Sequence, residues 1–203
     1  MKKLKSTLPN ILLSLTIICA VAGAALAATN SFTEKTIAAA MEAELQNAIK
    51  SVIPEFDNDP VQEKYKAPVT EKDSLTIYPA TKEGKTVGYA IESFSKKGFS
   101  GLIRIMVGFS SDGKLINFYV LEHNETPGLG DKMNNWFKAD KNRQNVIGKD
   151  MTKGGLKVTK DGGEVDGITA ATITSRAFLE AVNVAYASFS GNSDAVSGAT
   201  DVK

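Results

Sequence analysis

LIRIMVGFSSDGKLINFYVLEH, residues 102–123, holds two apolar alternating runs on either side of Ser111-Asp112-Gly113. Period-two alternation puts successive side chains on opposite faces of a strand. Asp-Gly between two such runs is a strong hairpin signal, because its residues accept the positive φ of the tight turn. Upstream, SLTIYPAT (74–81) and KTVGYAIES (85–93) alternate in the same way and join near Glu83-Gly84. Downstream, HNETPGLGDK (123–132) is too rich in glycine and proline to continue a strand. Residues 134–140 read as a short helix around Trp136 and Phe137. LKVTK (156–160) reads as a short strand before the turn Asp161-Gly162-Gly163. Over 174–189, Phe178, Val182, Ala185, Tyr186 and Phe189 share one face of an amphipathic helix. The expected fold class is α+β: one domain of antiparallel strands with flanking helices.

The N-terminal part has a different character. Lys2, Lys3 and Lys5 precede an uncharged stretch, within which residues 11–28 are mostly apolar. About 20 such residues span a bilayer as a helix. The run is long for the apolar part of a cleaved signal peptide, so a retained anchor is the preferred reading, although Ala25-Leu26-Ala27 would suit a signal peptidase. In either case the lysines stay cytoplasmic and the remainder crosses the membrane. Cys19 reads as a small apolar residue of that helix, since Ile18 before it does not suit a lipidation motif. Ile37, Met41, Leu45, Ile49 and Val52 predict a further helix over 33–53, either a stalk or the first helix of the domain. Residues 55–70 read as an irregular connection. The expected organisation is a cytoplasmic N-terminus (1–7), a transmembrane anchor (8–29), a stalk or first helix with its connection (30–72), a folded domain (73–189) and a disordered tail (190–203).

Composition narrows the chemistry. The chain has 203 residues, 42% hydrophobic and 23% charged, which excludes wholesale disorder. Lys and Arg number 24 against 23 Asp and Glu, so no basic excess points to nucleic acid. Without the three N-terminal lysines, 21 basic residues face 23 acidic ones, a net −2. A single Cys and a single His exclude a zinc site, an iron–sulfur cluster, a Cys–His pair and an internal disulfide within one chain. Redox chemistry would therefore need a bound cofactor.

The most informative segment is VDGITAATITSR, residues 165–176, immediately before the strong helix. Its small residues allow close approach to the backbone. The free N–H groups and positive dipole end of the helix favour a phosphate, and Arg176 would add a charged contact if its side chain turned that way. Thr169, Thr172, Thr174 and Ser175 supply hydroxyls. The bland alternative is a Ser/Thr helix cap, which is far commoner and needs no ligand.

Asp166, Thr169, Ala170, Ala171 and Thr172 resemble the Asp-x-x-Ser/Thr-Gly/Ala-Ala-Thr flavinylation motif of the FMN-binding domain family; the commoner Gly is Ala170 here. Glu125-Thr126-Pro127-Gly128-Leu129-Gly130 is similar to that family's Glu-Thr-Pro-Gly loop. Two motifs in order, about 40 residues apart, are more specific than either alone. With the anchor and the length, the resemblance extends to the G subunits of Rnf electron-transport complexes, from the anchor to about Phe189. It implies an FMN-binding domain behind one transmembrane helix, with FMN joined to Thr172 by a phosphoester after export. It further implies a flavin transferase that uses FAD as donor, and other membrane subunits that exchange electrons with the flavin. Such complexes couple ferredoxin/NAD electron transfer to Na⁺ or H⁺ translocation at the cell inner membrane, with the bulk of this polypeptide on the periplasmic or extracellular side. The redox chemistry would be the cofactor's, so no catalytic residue is expected of the chain alone.

Three other readings remain beside it. The C subunit of a Na⁺-translocating NADH:quinone reductase shares the motif and the anchor but is usually longer. An independent extracytoplasmic flavin reductase and a non-redox exported domain with a threonine cap are the others. A second motif match, DAVSGAT (194–200), ends at Thr200 in the polar tail, where no apolar helix follows. Asp166 also reads as a turn residue, and Glu125 and Thr126 either touch the flavin or only shape their loop. His123 is expected as a polar strand-end residue, Trp136 as core, and residues 138–141 as a solvated charged face. Gly128 and Gly130 are expected to supply positive φ.

Overall fold

The computed structural model describes residues 7–53, 55–69 and 74–191. The chain divides into two compact units between Leu45 and Gln46. The first is helical, part of α1 (Leu8–Val52). The expected anchor and the helix of residues 33–53 thus form one continuous helix. Its one proline, Pro9, lies in the first turn, where it is tolerated, and Gly23 alone is too mild a helix breaker to split it. Leu12, Leu13, Leu15, Ile18 and Val21 are all exposed. Among the described residues this is the one helix long and apolar enough to cross a membrane.

The second unit is built on a five-stranded antiparallel sheet in sequence order: β1 (Tyr65–Pro68), β2 (Ser74–Lys82), β3 (Lys85–Gly98), β4 (Gly101–Ser110) and β5 (Leu115–His123). The hairpin expected at Asp112-Gly113 forms, with Gly113 at φ 85° and the Ser110 N–H donating to the Lys114 carbonyl at 2.9 Å. β1 is a correction to the irregular connection expected over 55–70. It escapes a periodicity reading because it has four residues with a single inward side chain, Ala67, and a terminal proline that only an edge strand tolerates.

The sheet has two covered faces. Ile91, Ile103, Ile105, Val107 and Phe109 point towards α3 (Thr172–Ser190), which buries Phe178, Val182, Ala185 and Tyr186 against them. Phe178 stacks on Phe137 with ring centroids 4.4 Å apart and meets Phe118 edge-on at 4.8 Å. The Ser93 hydroxyl donates to the Ala181 carbonyl at 2.7 Å, locking β3 to α3. On the opposite face, Ala48, Ile49, Val52 and Ile53 are buried with Ala90 and Met106. Gly108 permits that approach: a Cβ there would lie 2.3 Å from the Val52 carbonyl oxygen.

Residues 124–171 run as loops and short turns. α2 is a single turn, Met133–Trp136, shorter than the helix expected over 134–140. LKVTK is not a strand. Val158 makes one isolated parallel bridge to Val165, and a 3-10 turn, Thr159–Asp161, follows. The reversal at Gly163 is too tight for a ladder, since a Cβ there would sit 2.2 Å from the Lys157 carbonyl. The buried Asn183 amide holds this region to α3, accepting from the Leu156 N–H at 2.8 Å and donating to the Leu156 carbonyl at 2.9 Å. Lys138 is half-buried over the Phe118 ring, at 4.7 Å from its centroid, and not part of a solvated face. Burial pulls its ammonium pKa below the ordinary lysine value. The second motif match, 194–200, lies outside the described residues.

Candidate functional site

The turn before α3 is shaped by its own small residues. Ser175, fully buried, accepts from the Ile168 N–H at 2.8 Å and donates to the Ala171 carbonyl at 2.9 Å. The Ala171 N–H returns to the Ile168 carbonyl at 3.0 Å. The Asp166 carboxylate accepts from the Arg143 N–H at 3.2 Å, and the Asp166 carbonyl accepts from the Trp136 indole at 2.8 Å. Asp166 therefore tethers the turn to the preceding loop, and Trp136 is half-buried with its N–H satisfied. The turn closes with Ala170 at φ 63°, the left-handed region.

That conformation explains why glycine suits the position. It costs a residue with a Cβ roughly 1–2 kcal/mol, while glycine's greater freedom when unfolded returns roughly 0.5–1 kcal/mol. Ala170→Gly is expected to stabilise the domain by about 0.5–1 kcal/mol, read as a higher urea midpoint with unchanged slope. An Ala170→Val chain should move the other way.

α3 starts two residues earlier than the apolar periodicity indicates, which makes Thr172 its first helical residue. The expected hydroxyl cap does not form: the N-cap is Ala171, with no side-chain capping bond. The N–H groups of Thr172, Ile173 and Thr174 find no acceptor among the described residues, whereas the Ser175 N–H closes the first helical bond to Ala171. Three donors and the positive helix end thus converge beside the half-buried Thr172. The Thr172 Oγ1 accepts from Lys160 Nζ at 3.0 Å. Arg176 turns elsewhere, donating twice to Asp161, at 2.8 and 2.6 Å. These bonds hold the Asp161 carboxyl below its usual pKa and raise that of Arg176. The pair fastens the 3-10 turn to α3.

The Glu-Thr-Pro-Gly loop packs against the same helix start. Its turn carries a Leu129 N–H to Thr126 carbonyl bond of 3.1 Å, and Gly128 adopts φ 78°. Gly130 does not have positive φ. It is glycine for space, since a Cβ would come within 2.7 Å of both Glu125 Oε2 and Thr174 Oγ1. Glu125 points inward and is 4% exposed, accepting from the Ser100 N–H at 2.9 Å and from the Thr174 hydroxyl at 2.5 Å. Thr126 stays exposed on the rim, and His123 ends β5 with Nδ1 accepting from the Glu125 N–H at 3.2 Å.

Thr172 lies between two recesses. One, of about 300 Å³, is apolar, with walls from Phe99, Leu129 and Ile173 and a floor from Ala170 and Ala171. The other, of about 360 Å³, is polar and includes Gln144, Lys160, Asp166 and Thr169. Both volumes reach the scale of small-molecule sites. A flat apolar ring fits the first recess, and a phosphorylated polyol fits the donors around Thr172 and the second, so the residues present suit FMN. Thr174 and Ser175 face the packing side and support the turn. Phe99, Gln144 and Lys160 are absent from the motif reading. Phe99 had one sequence signal, an aromatic between the glycines of a hairpin tip; the other two had none.

A sheet backed by one long helix, with a hydroxyl at that helix's start between an apolar and a polar recess, defines a domain for a phosphorylated ring cofactor. Residues 98–187 match the FMN-binding domain family. The chain belongs to the G-subunit family of Rnf ion-translocating oxidoreductase complexes. It is 35% identical to the G subunit of the ion-translocating oxidoreductase complex of Vibrio parahaemolyticus, over 81% of this chain and 80% of the relative. The protein of the same name from Photorhabdus laumondii is 35% identical over 84% of each chain. That from Shewanella baltica is 36% identical over 82% of each.

Proposed function

We propose that this protein is the FMN-carrying electron-transfer component of an Rnf-type membrane complex, with FMN joined through its phosphate to Thr172. The observation that carries the reading is the placement of the Thr172 hydroxyl. It is half-buried at the start of α3, beside three unpaired N–H groups, and its own proton has no acceptor among the described residues. A flavin transferase would form the Oγ1–phosphorus bond and break the phosphoanhydride of FAD. AMP leaves with the bonding pair and the threonine proton passes to the transferase, with no change of oxidation state. When bound, FMN supplies the electron transfer; the chain's residues bind and orient it and hold water off its apolar side. The other membrane subunits provide donor and acceptor, in a complex that couples ferredoxin/NAD electron transfer to Na⁺ or H⁺ translocation.

The domain organisation follows the same reading. Residues 1–7 are cytoplasmic, 8–29 make a single inner-membrane span, and the sheet domain, which begins at Gln46 rather than at residue 73, is the flavin domain on the periplasmic or extracellular side. The Lys2, Lys3 and Lys5 cluster before the apolar run supports that orientation.

The test is in-gel flavin fluorescence after denaturing electrophoresis of the full chain co-produced with an active flavin transferase. Wild type and Thr200→Ala should fluoresce and Thr172→Ala should be dark. Loss confined to Thr200→Ala would move the linkage to the tail, and a dark wild type would remove it altogether.

A further inference from the structure

The polar recess is lined by a lysine and a glutamine, Lys160 and Gln144. Lys160 Nζ contacts Thr172 Oγ1 at 3.0 Å, and among the described residues it forms no ion pair. The adjacent Asp161 is engaged by Arg176, and Asp166, in the same recess, is engaged by Arg143 at 3.5 Å. Gln144 is 6% exposed and lines the recess, yet its side-chain amide makes no hydrogen bond among the described residues; only its backbone N–H is used, donating to the Lys141 carbonyl at 3.3 Å. The amide opens onto the recess, where a ligand hydroxyl or a water can complete it.

We infer that Lys160 and Gln144 form an anion-and-polyol subsite, with Lys160 pairing the phosphodiester on Thr172 and Gln144 hydrogen-bonding the hydroxylated chain beyond it. This rests on the flavin linkage proposed above. Lys160 serves the threonine in both states. Before modification its ammonium fixes the hydroxyl and leaves the hydroxyl proton free to depart. Afterwards the same three-donor group faces a permanent negative charge beside the positive end of α3. Arg176 is not available for either task, since both of its contacts close on Asp161. Gln144 supplies a donor and an acceptor together, which suits hydroxyls better than it suits a phosphate alone.

The experiment uses the full chain in detergent with an active flavin transferase and compares wild type, Lys160→Met, Lys160→Arg and Gln144→Leu. Initial flavinylation rates come from intact mass. The linked phosphodiester is read by ³¹P NMR, flavin rigidity by fluorescence anisotropy, and folding by thermal melting of the unmodified chains. Lys160→Met should slow flavinylation by about ten- to a hundredfold and move the ³¹P resonance. Lys160→Arg should restore most of both, and Gln144→Leu should lower the anisotropy. Wild-type rate and resonance in Lys160→Met would overturn the subsite while leaving the FMN reading intact. Equal slowing in the Met and Arg variants together with a lowered melting temperature would also overturn it, as a structural effect. A wild type that takes no flavin would overturn the reading beneath it.

Discussion

Phe178→Ala should destabilise the sheet domain by about 4 kcal/mol, enough to lower its melting temperature by about 10 °C. Phe178 is fully buried in the middle of α3. It lies parallel to Phe137, with an interplanar angle of 4°, and at 67° to Phe118. Truncation removes the transfer energy of a phenyl ring and both aromatic contacts, and it leaves a cavity between a strand, a helix and a loop. Phe137 comes from the loop region, where its N–H bonds the Met133 carbonyl at 3.3 Å and its carbonyl accepts from the Val146 N–H at 3.0 Å. The cavity cannot readily collapse, because the sheet fixes one wall and the helix another. Phe178→Leu, nearer in volume, should lose less than about 1.5 kcal/mol. Urea unfolding followed through Trp136, the only tryptophan, measures both, and unchanged slopes would confirm that the native state rather than the unfolded chain is affected.

The elements that alternation and helical spacing encode were legible: β2 to β5, the turn at Gly113, and the α3 face carrying Phe178 and Val182. Each repeats its apolar residues at the element's own period or bounds them with turn residues, so its pattern survives in one dimension. The loop region has no such pattern. Its stability comes from single long-range contacts, such as the Asn183 amide across Leu156 or the Lys149 to Glu164 ion pair at 2.9 Å. Neither has a characteristic spacing. The start of α3 was hidden for a related reason. Thr172 and Ile173 do not lie on the apolar face, so periodicity begins counting after them.

The site divides along the same line. Thr172 and Glu125 lie in short contiguous motifs, whose order and separation are readable in a chain. Lys160 reaches Thr172 from a 3-10 turn twelve residues upstream, and Gln144 reaches the recess from another loop. Arg176 shows the converse. Adjacency to the motif suggested a phosphate contact, but the helix projects its side chain towards Asp161. Sequence proximity marks a turn, but it does not say which side chains face it.

Glu125→Ala should cost about 3 kcal/mol, a large effect for one polar side chain and one that centres on the apolar recess. The carboxylate joins three segments: the β3–β4 hairpin tip through Ser100, its own loop, and the start of α3 through Thr174. Hydrogen bonds to a charged group contribute about 1.5–3 kcal/mol each, and the alanine leaves the buried Thr174 hydroxyl without its acceptor and the Ser100 N–H to solvent. Phe99 sits beside Ser100 and forms a wall of the apolar recess, so freeing the hairpin tip loosens that wall as well. Glu125→Gln separates charge from connectivity. Its carbonyl can take the Ser100 N–H while its NH₂ donates to Thr174, whose hydroxyl rotates to accept. The glutamine chain should therefore lose only about 1 kcal/mol. Glu125→Asp, one methylene shorter, cannot reach both donors and should behave more like alanine. Urea unfolding of the three variants tests the ranking. If alanine and glutamine lose stability equally, the negative charge rather than the bridge holds these segments together, and Glu125 is an electrostatic element of the site.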